Sequence, residues 1–150
     1  DILPDKKFDV IICHNVLEYV PDRGTIIKKF HELLKPDGIL SVVKHNHYGR
    51  IMQKTVFENN ITEAISLLDG GEIHATNFGK INYHGIDEFS SLFNVNKLMG
   101  IRTFFALQQN NEIKYNSDWF EEMFQIEMKV SEIKQFVDIS FFHHLLLYKN

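Results

Sequence analysis

The sequence predicts an α/β fold built on a mostly parallel sheet with helices on both faces, and two observations carry that prediction. The first is a pair of short, nearly continuous apolar runs, Phe8-Asp9-Val10-Ile11-Ile12-Cys13 and Ile39-Leu40-Ser41-Val42-Val43, of the kind that form strands buried on both faces. The second is the segment between them, where Pro21 and Asp22 introduce Ile26, Ile27, Phe30, Leu33 and Leu34 at helical spacing before Pro36-Asp37-Gly38 stops the helix. A strand, a helix and a strand make a right-handed βαβ unit, whose ligand side lies at the carboxyl ends of the strands.

The later elements follow from the same reading. Residues 51–68 predict one or two helices, Asp69-Gly70-Gly71 a turn, residues 72–85 an irregular polar loop and residues 86–93 a further helix. The β-rich composition of residues 98–107, with Ile101, Thr103, Phe104 and Phe105, predicts a third strand in which Gly100 is a weak point. Ser117 is a candidate N-cap for an amphipathic stretch running from Trp119 to Val137 and broken near Lys129. The apolar, aromatic residues 139–148 predict a last strand.

Composition narrows the functional classes. The 150 residues are 44% hydrophobic and 24% charged, which suits one domain, 1–150, with a real core and no internal boundary. No apolar run is long enough to span a bilayer and no secretory signal opens the chain, so the expectation is a cytoplasmic protein without a membrane partner. The single Cys13 excludes an internal disulfide and reads as a small buried apolar residue. The net charge of −4 argues against a surface that is basic throughout, although residues 23–54 are locally basic and residues 112–138 acidic.

Polar clusters follow directly on the apolar strands: His14-Asn15 after the first, and His45-Asn46-His47-Tyr48 after the second. The histidines invite a metal reading, but no neighbouring Cys, Asp or Glu completes a ligand set, so no metal is expected. Arg102 stands in an otherwise apolar segment, where a guanidinium requires an anion: a substrate carboxylate, a helix acid such as Glu88, or else an outward orientation. His143-His144 lies inside the last strand without a partner visible in sequence.

Leu3-Pro4, Phe8-Asp9-Val10-Ile11, Val16-Leu17-Glu18-Tyr19-Val20 and Leu34-Lys35-Pro36-Asp37-Gly38-Ile39-Leu40 together resemble the "LP…FDVV…LEHV…LKPGG-L" series of the class I S-adenosylmethionine-dependent methyltransferases, from their fourth strand onward. The resemblance covers residues 3–148, resting after residue 50 on element order. It implies a Rossmann-like sheet comprising strands four to seven of that family, the last strand antiparallel between the fifth and sixth, with Val43, Phe104 and Phe141 on adjacent strands. Cys13 to Val20, Asn46-His47-Tyr48-Gly49 with Met52, and Gly100 to Phe104 also resemble the tRNA 5-carboxymethoxyuridine methyltransferase group, the SmtA-like proteins.

The resemblance implies S-adenosyl-L-methionine as cofactor, contacted by His14 and Asn15, and an acceptor bordered by Asn46 and Tyr48, with Arg102 holding a carboxylate where the acceptor carries one. That acceptor is a modified tRNA wobble uridine or a small molecule, and no catalytic base is required. The family's glycine-rich cofactor loop has no counterpart, since no G-x-G occurs in the sequence. The expectation is therefore the carboxyl-terminal part of a longer enzyme, inactive by itself. The alternative is a non-catalytic interaction or dimerisation module derived from this fold, forming a homodimer through an exposed sheet edge.

Overall fold

The computed structural model describes residues 6–75 and 77–150. Leu3-Pro4 of the motif series lies outside them. The chain divides into two compact units: Asp1–Lys44, Asn82–Leu98 and His144–Asn150 form the first, His45–Ile81 and Met99–His143 the second.

A four-stranded sheet has the order β1-β2-β6-β5, with β1 Phe8–His14, β2 Leu34–His45, β5 Phe93–Ile101 and β6 Phe142–Lys149. The β1–β2 pair is parallel, with Ile11 opposite Leu40 and His14 opposite Val43. β6 runs against β2, because Lys149 reaches the Leu34 carbonyl, Ser41 meets His144 and the Asn46 N–H reaches the Phe141 carbonyl. It also runs against β5, since the Asn150 N–H donates to Leu92 and Gly100 packs on Ser140. β1, β2 and β5 therefore share one direction, and the inserted β6 opposes them. This is the order, with the last strand reversed between its neighbours, that the resemblance implies; β1–β2 is a parallel pair and both pairings of β6 are antiparallel.

In the first unit, helix α1, Arg23–Leu33, starts where Asp22 Oδ1 accepts the Thr25 N–H at 3.0 Å. Its Ile27 packs into a buried cluster with Cys13, Leu17, Leu40, Val42, Phe89, Phe93, Leu145 and Leu147. Each fully buried side chain of this kind contributes about 1.5–3 kcal/mol.

Several sequence expectations shift. β1 is not covered on both faces: Val10 is 51% and Ile12 68% exposed, because alternate residues of this edge strand point away from the cluster. Pro36-Asp37-Gly38 does not separate α1 from the next strand. β2 begins at Leu34, and the break in register between Phe8↔Leu34 and Val10↔Ile39 absorbs these residues as a bulge. Residues 86–93 give a single 3₁₀ turn, Asp87–Phe89, rather than a helix, and Phe93 already belongs to β5.

In the second unit, α2, His47–Met52, continues into a π-helical turn, Gln53–Phe57, and α3 spans Ile61–Leu68. The polar loop holds a short hairpin of β3, His74–Ala75, and β4, Gly79–Lys80. The third strand ends at Ile101, before the β-rich composition does; Arg102 turns into the left-handed region at φ 60° and Phe105–Leu107 form a 3₁₀ turn. Phe104 is thus off the strand, and Phe141 precedes β6. Helix α4, Ser117–Val130, is capped by Asn116, whose Oδ1 accepts the Trp119 N–H at 2.9 Å, and not by Ser117. α5, Lys134–Val137, follows after a break at residues 131–133. Buried Ala64, Leu67, Ile73, Ile81, Ala106, Val130 and Val137 supply this unit's core.

Candidate functional site

In the first unit, β1 ends at His14 and the chain turns at Asn15, which adopts φ 53° and donates its N–H to the Val43 carbonyl at 2.8 Å. Asparagine is among the few residues that accept this conformation readily. Leu17 and Glu18, 1% and 0% exposed, anchor the 3₁₀ turn that follows, so the side chains of His14 and Asn15 are held outward at the strand's carboxyl end.

His14 is not isolated. Its Nε2 lies 3.0 Å from Ser41 Oγ on β2, which lies 2.8 Å from His144 Nε2 on β6. The rings of His14 and His144 meet edge-on at 5.6 Å. One hydroxyl proton serves two ring nitrogens, so Ser41 donates to no more than one imidazole and accepts from the other. Burial, and then the His14 charge, hold the His144 pKa below its ordinary value. His14 Nδ1 has no protein partner among the described residues, leaving one polar edge of a fixed ring available. Sequence alone offered no sign of Ser41 or His144 in this row, because the three residues are brought together only by strand pairing.

A buried polar group lies behind the turn. Lys44 is 5% exposed, and its pKa is lowered by burial against the opposing influence of Glu18 and Glu88. The Glu18 carbonyl accepts both the backbone and side-chain N–H of Asn82 at 3.1 Å. Glu88 is engaged by Arg23 through two hydrogen bonds of 3.0 Å, so it is not the partner of Arg102. Cys13 is buried, and burial followed by the Glu18 charge pushes its thiol up to about 11, which makes it a poor nucleophile.

In the second unit, Asn46 is 4% exposed and its amide is spent on the protein: Nδ2 donates to Asp138 O at 2.9 Å and Ser140 O at 2.8 Å, while Oδ1 accepts the Tyr48 N–H at 3.3 Å. Its two donors have no capacity left for a ligand. Tyr48, 63% exposed, stands in the first turn of α2, where its backbone N–H is the one that Asn46 caps. His45 packs on Phe141 and Phe142 at 5.9 and 4.9 Å, and His47 on Tyr48 at 5.9 Å. Among the described residues no group of three His, Cys, Asp or Glu is placed to hold a metal ion.

The Arg102 guanidinium lies over three rings, 5.4 Å from Phe105, 5.4 Å from Phe141 and 5.8 Å from Phe142. Its Nε is buried without a partner, and burial lowers its pKa more than the nearby Glu127 raises it. Glu127 is already committed: its carboxylate accepts the N–H groups of Thr103, Phe104 and Phe105 at 2.9, 2.7 and 2.8 Å. An arginine in a strained backbone conformation, partly desolvated and with no ion pair among the described residues, is a group with unused anion-binding capacity.

The comparisons with known proteins decide the family. A family model described as a methyltransferase domain matches residues 1–96 of the 150. The chain belongs to that methyltransferase domain family.

Among curated relatives, the ubiquinone biosynthesis O-methyltransferase of Actinobacillus pleuropneumoniae serotype 5b (strain L20) is 57% identical over 35 residues, 23% of this chain and 15% of that protein. The tRNA 5-carboxymethoxyuridine methyltransferase of Escherichia coli (strain K12) is 35% identical over 51 residues, 34% of this chain and 20% of that protein. The matched segments therefore span a minor part of each relative's length. Among solved structures, PKMT2 from Rickettsia typhi is 19% identical with a TM-score of 0.49, covering 97% of this chain and 36% of that one.

The methyltransferase-domain match takes in β1, α1 and β2 and stops inside β5, so His14, Asn15, Asn46 and Tyr48 fall within it and Arg102 beyond it. The domain also carries a titration that should be measurable. His84 is buried with its Nε2 unpartnered; burial first, then the Lys44 charge, lower its pKa from 6.5 to about 4. The unfolded chain binds this proton near pH 6.5 and the folded chain only near pH 4. Stability is therefore complete above the higher value, falls as pH drops through this window and levels off below it. After allowance for solvent screening the loss is about 2 kcal/mol. Urea midpoints compared at the two ends of the window should show it, and His84→Leu should remove that part of the pH dependence; an unchanged dependence would contradict the assignment.

Proposed function

We propose that the whole protein transfers a methyl group from S-adenosylmethionine to an oxygen of an anionic acceptor whose carboxylate is held by Arg102. Membership of the methyltransferase domain family supports the reaction class. The observation that carries the acceptor chemistry is the guanidinium of Arg102, stacked on aromatic rings and without an ion pair among the described residues.

Two residues support a place for the donor: His14 offers Nδ1 on a ring fixed by Ser41 and His144, and the exposed Asn15 offers a carboxamide beside it. These two would hold its polar edges. When bound, the donor supplies a methyl group already activated on a sulfonium, which leaves as a neutral thioether. The protein has then to align and to exclude water. Arg102 can hold a carboxylate through two parallel N–H donors, and that oxygen is already anionic at neutral pH, so no side chain need remove a proton.

The relatives' names point to two acceptor classes, a modified tRNA uridine and a small ubiquinone precursor. The Arg102 geometry favours the first, a 5-carboxymethoxyuridine, because that acceptor carries a carboxylate. In the complete protein, Arg102→Gln should raise the KM for such an acceptor about tenfold to a hundredfold, the value of a charge-assisted hydrogen bond. The same change should leave donor affinity, measured by calorimetric titration, unaltered. No donor binding, or an unchanged KM, would contradict the reading.

A second reading, a homodimer or interaction module paired through the edge of β1, is favoured by the place of β1 at the end of the strand order. Sedimentation of the complete protein tests it: a monomer at all concentrations removes it.

A further inference from the structure

Arg102 is not the only cation of the second unit without a carboxylate. Lys54 is paired with Glu58 and Glu63 at 2.6 and 2.9 Å, Lys80 with Glu72, and Lys134 with Asp138. Arg50, Arg102 and Lys114 have no such partner among the described residues; Arg50 bonds the Gln53 carboxamide and Lys114 the Asn111 carboxamide. All three rest instead on phenylalanine rings. Arg50 lies 5.8 Å from the centroid of Phe141, which also carries Arg102 at 5.4 Å. Arg102 shares Phe105 with Lys114, whose Nζ is 5.0 Å from that ring and 5.3 Å from Phe57.

Cation and ring therefore alternate along one row: Arg50, Phe141, Arg102, Phe105, Lys114, Phe57. A cation stacked on a ring face keeps its charge and much of its N–H edge. The Nε atoms of both arginines are buried without a partner. Neighbouring cations are separated by a ring, and a single carboxylate on Arg102 leaves those on either side unsatisfied. A ligand with anions repeated along a chain matches the row.

We propose that Arg50, Arg102 and Lys114 form one anion-binding track for the phosphodiester backbone of a single-stranded oligonucleotide, with the acceptor group at Arg102 and flanking phosphates at Arg50 and Lys114. This deepens the methyl-transfer reading and rests on it for the role of Arg102.

The test uses the complete protein and a labelled oligouridylate dodecamer, with affinity read by fluorescence anisotropy over a range of salt concentrations. Two phosphate contacts on a single strand give a slope of log K against log salt of about −1.4, and removal of one brings it to about −0.7. Arg50→Gln and Lys114→Gln are each expected to show that reduction with unchanged unfolding midpoints. Lys134→Gln, which removes a cation already paired, should leave the slope alone. Should Arg50→Gln fail to fold, Lys114→Gln carries the test by itself. An unchanged slope in the folded variants, or inorganic phosphate binding as tightly as the dodecamer, would overturn the track. S-adenosylmethionine titration in parallel separates the two proposals. Donor binding without oligonucleotide binding overturns the track alone; oligonucleotide binding without donor binding upholds it and overturns methyl transfer.

Discussion

Gly49→Ala is expected to destabilise the second unit by more than about 4 kcal/mol, the range reserved for substitutions that a packed interior cannot absorb. Gly49 sits in α2 where that helix lies directly on the chain before β6. A Cβ there would meet the carbonyl oxygen of Ser140, lie 2.6 Å from its carbonyl carbon and 2.7 Å from the Cα of Phe141. All of these are backbone atoms, so no rotamer change relieves the overlap, and the helix and the strand entry must separate. Urea unfolding with hydrogen exchange across residues 45–57 and 138–143 would measure the effect. Gly24→Ala is the control: its Cβ would approach only Asp22 Oδ1, at 3.7 Å, so the helix should gain about 0.5–1 kcal/mol from alanine's better propensity. If both variants unfold alike, the close approach of α2 to Ser140 is wrong.

Asn46→Ala should cost the same unit about 3 kcal/mol, because it leaves two buried carbonyls and the capped Tyr48 N–H without their partner. Asn46→Asp separates this explanation from a simple loss of volume. The carboxylate has nearly the shape of the amide, but it would face the Asp138 and Ser140 carbonyls with no donor, and should be at least as damaging as alanine. In the alanine variant the Tyr48 N–H loses its cap, which makes Asn46 a positioning residue for α2. An aspartate variant as stable as the wild type would refute the donor assignment. Thermal and urea midpoints of the two variants, compared at neutral pH, provide the measurement.

Local signals made much of the fold legible. Apolar runs marked β1 and the centre of β2, and Asp22 followed by residues at helical spacing marked α1, because each signal acts within a few residues of itself. The misreadings share a different cause. Residues 102–107 have the composition of a strand, yet the chain bends there because Glu127, more than twenty positions away in sequence, accepts three consecutive N–H groups that a strand would have paired with its neighbours. β5 went unread over Asn94, Asn96 and Lys97, whose polar side chains conceal a strand stabilised by its pairing with β6.

By itself, the sequence determined the α/β class, the βαβ opening and the resemblance to class I methyltransferases, since these depend on residue order and periodicity. Only tertiary structure decided which polar side chains remain available. Arg23 and Arg102 are the same residue in sequence terms, but the fold gives the first a bidentate carboxylate and sets the second on aromatic rings. Asn15 and Asn46 both follow apolar strands, yet one is exposed and the other consumed by two carbonyls. The physical reason is that a polar group's availability depends on what packing has already paired it with, and those partners lie dozens of residues away along the chain.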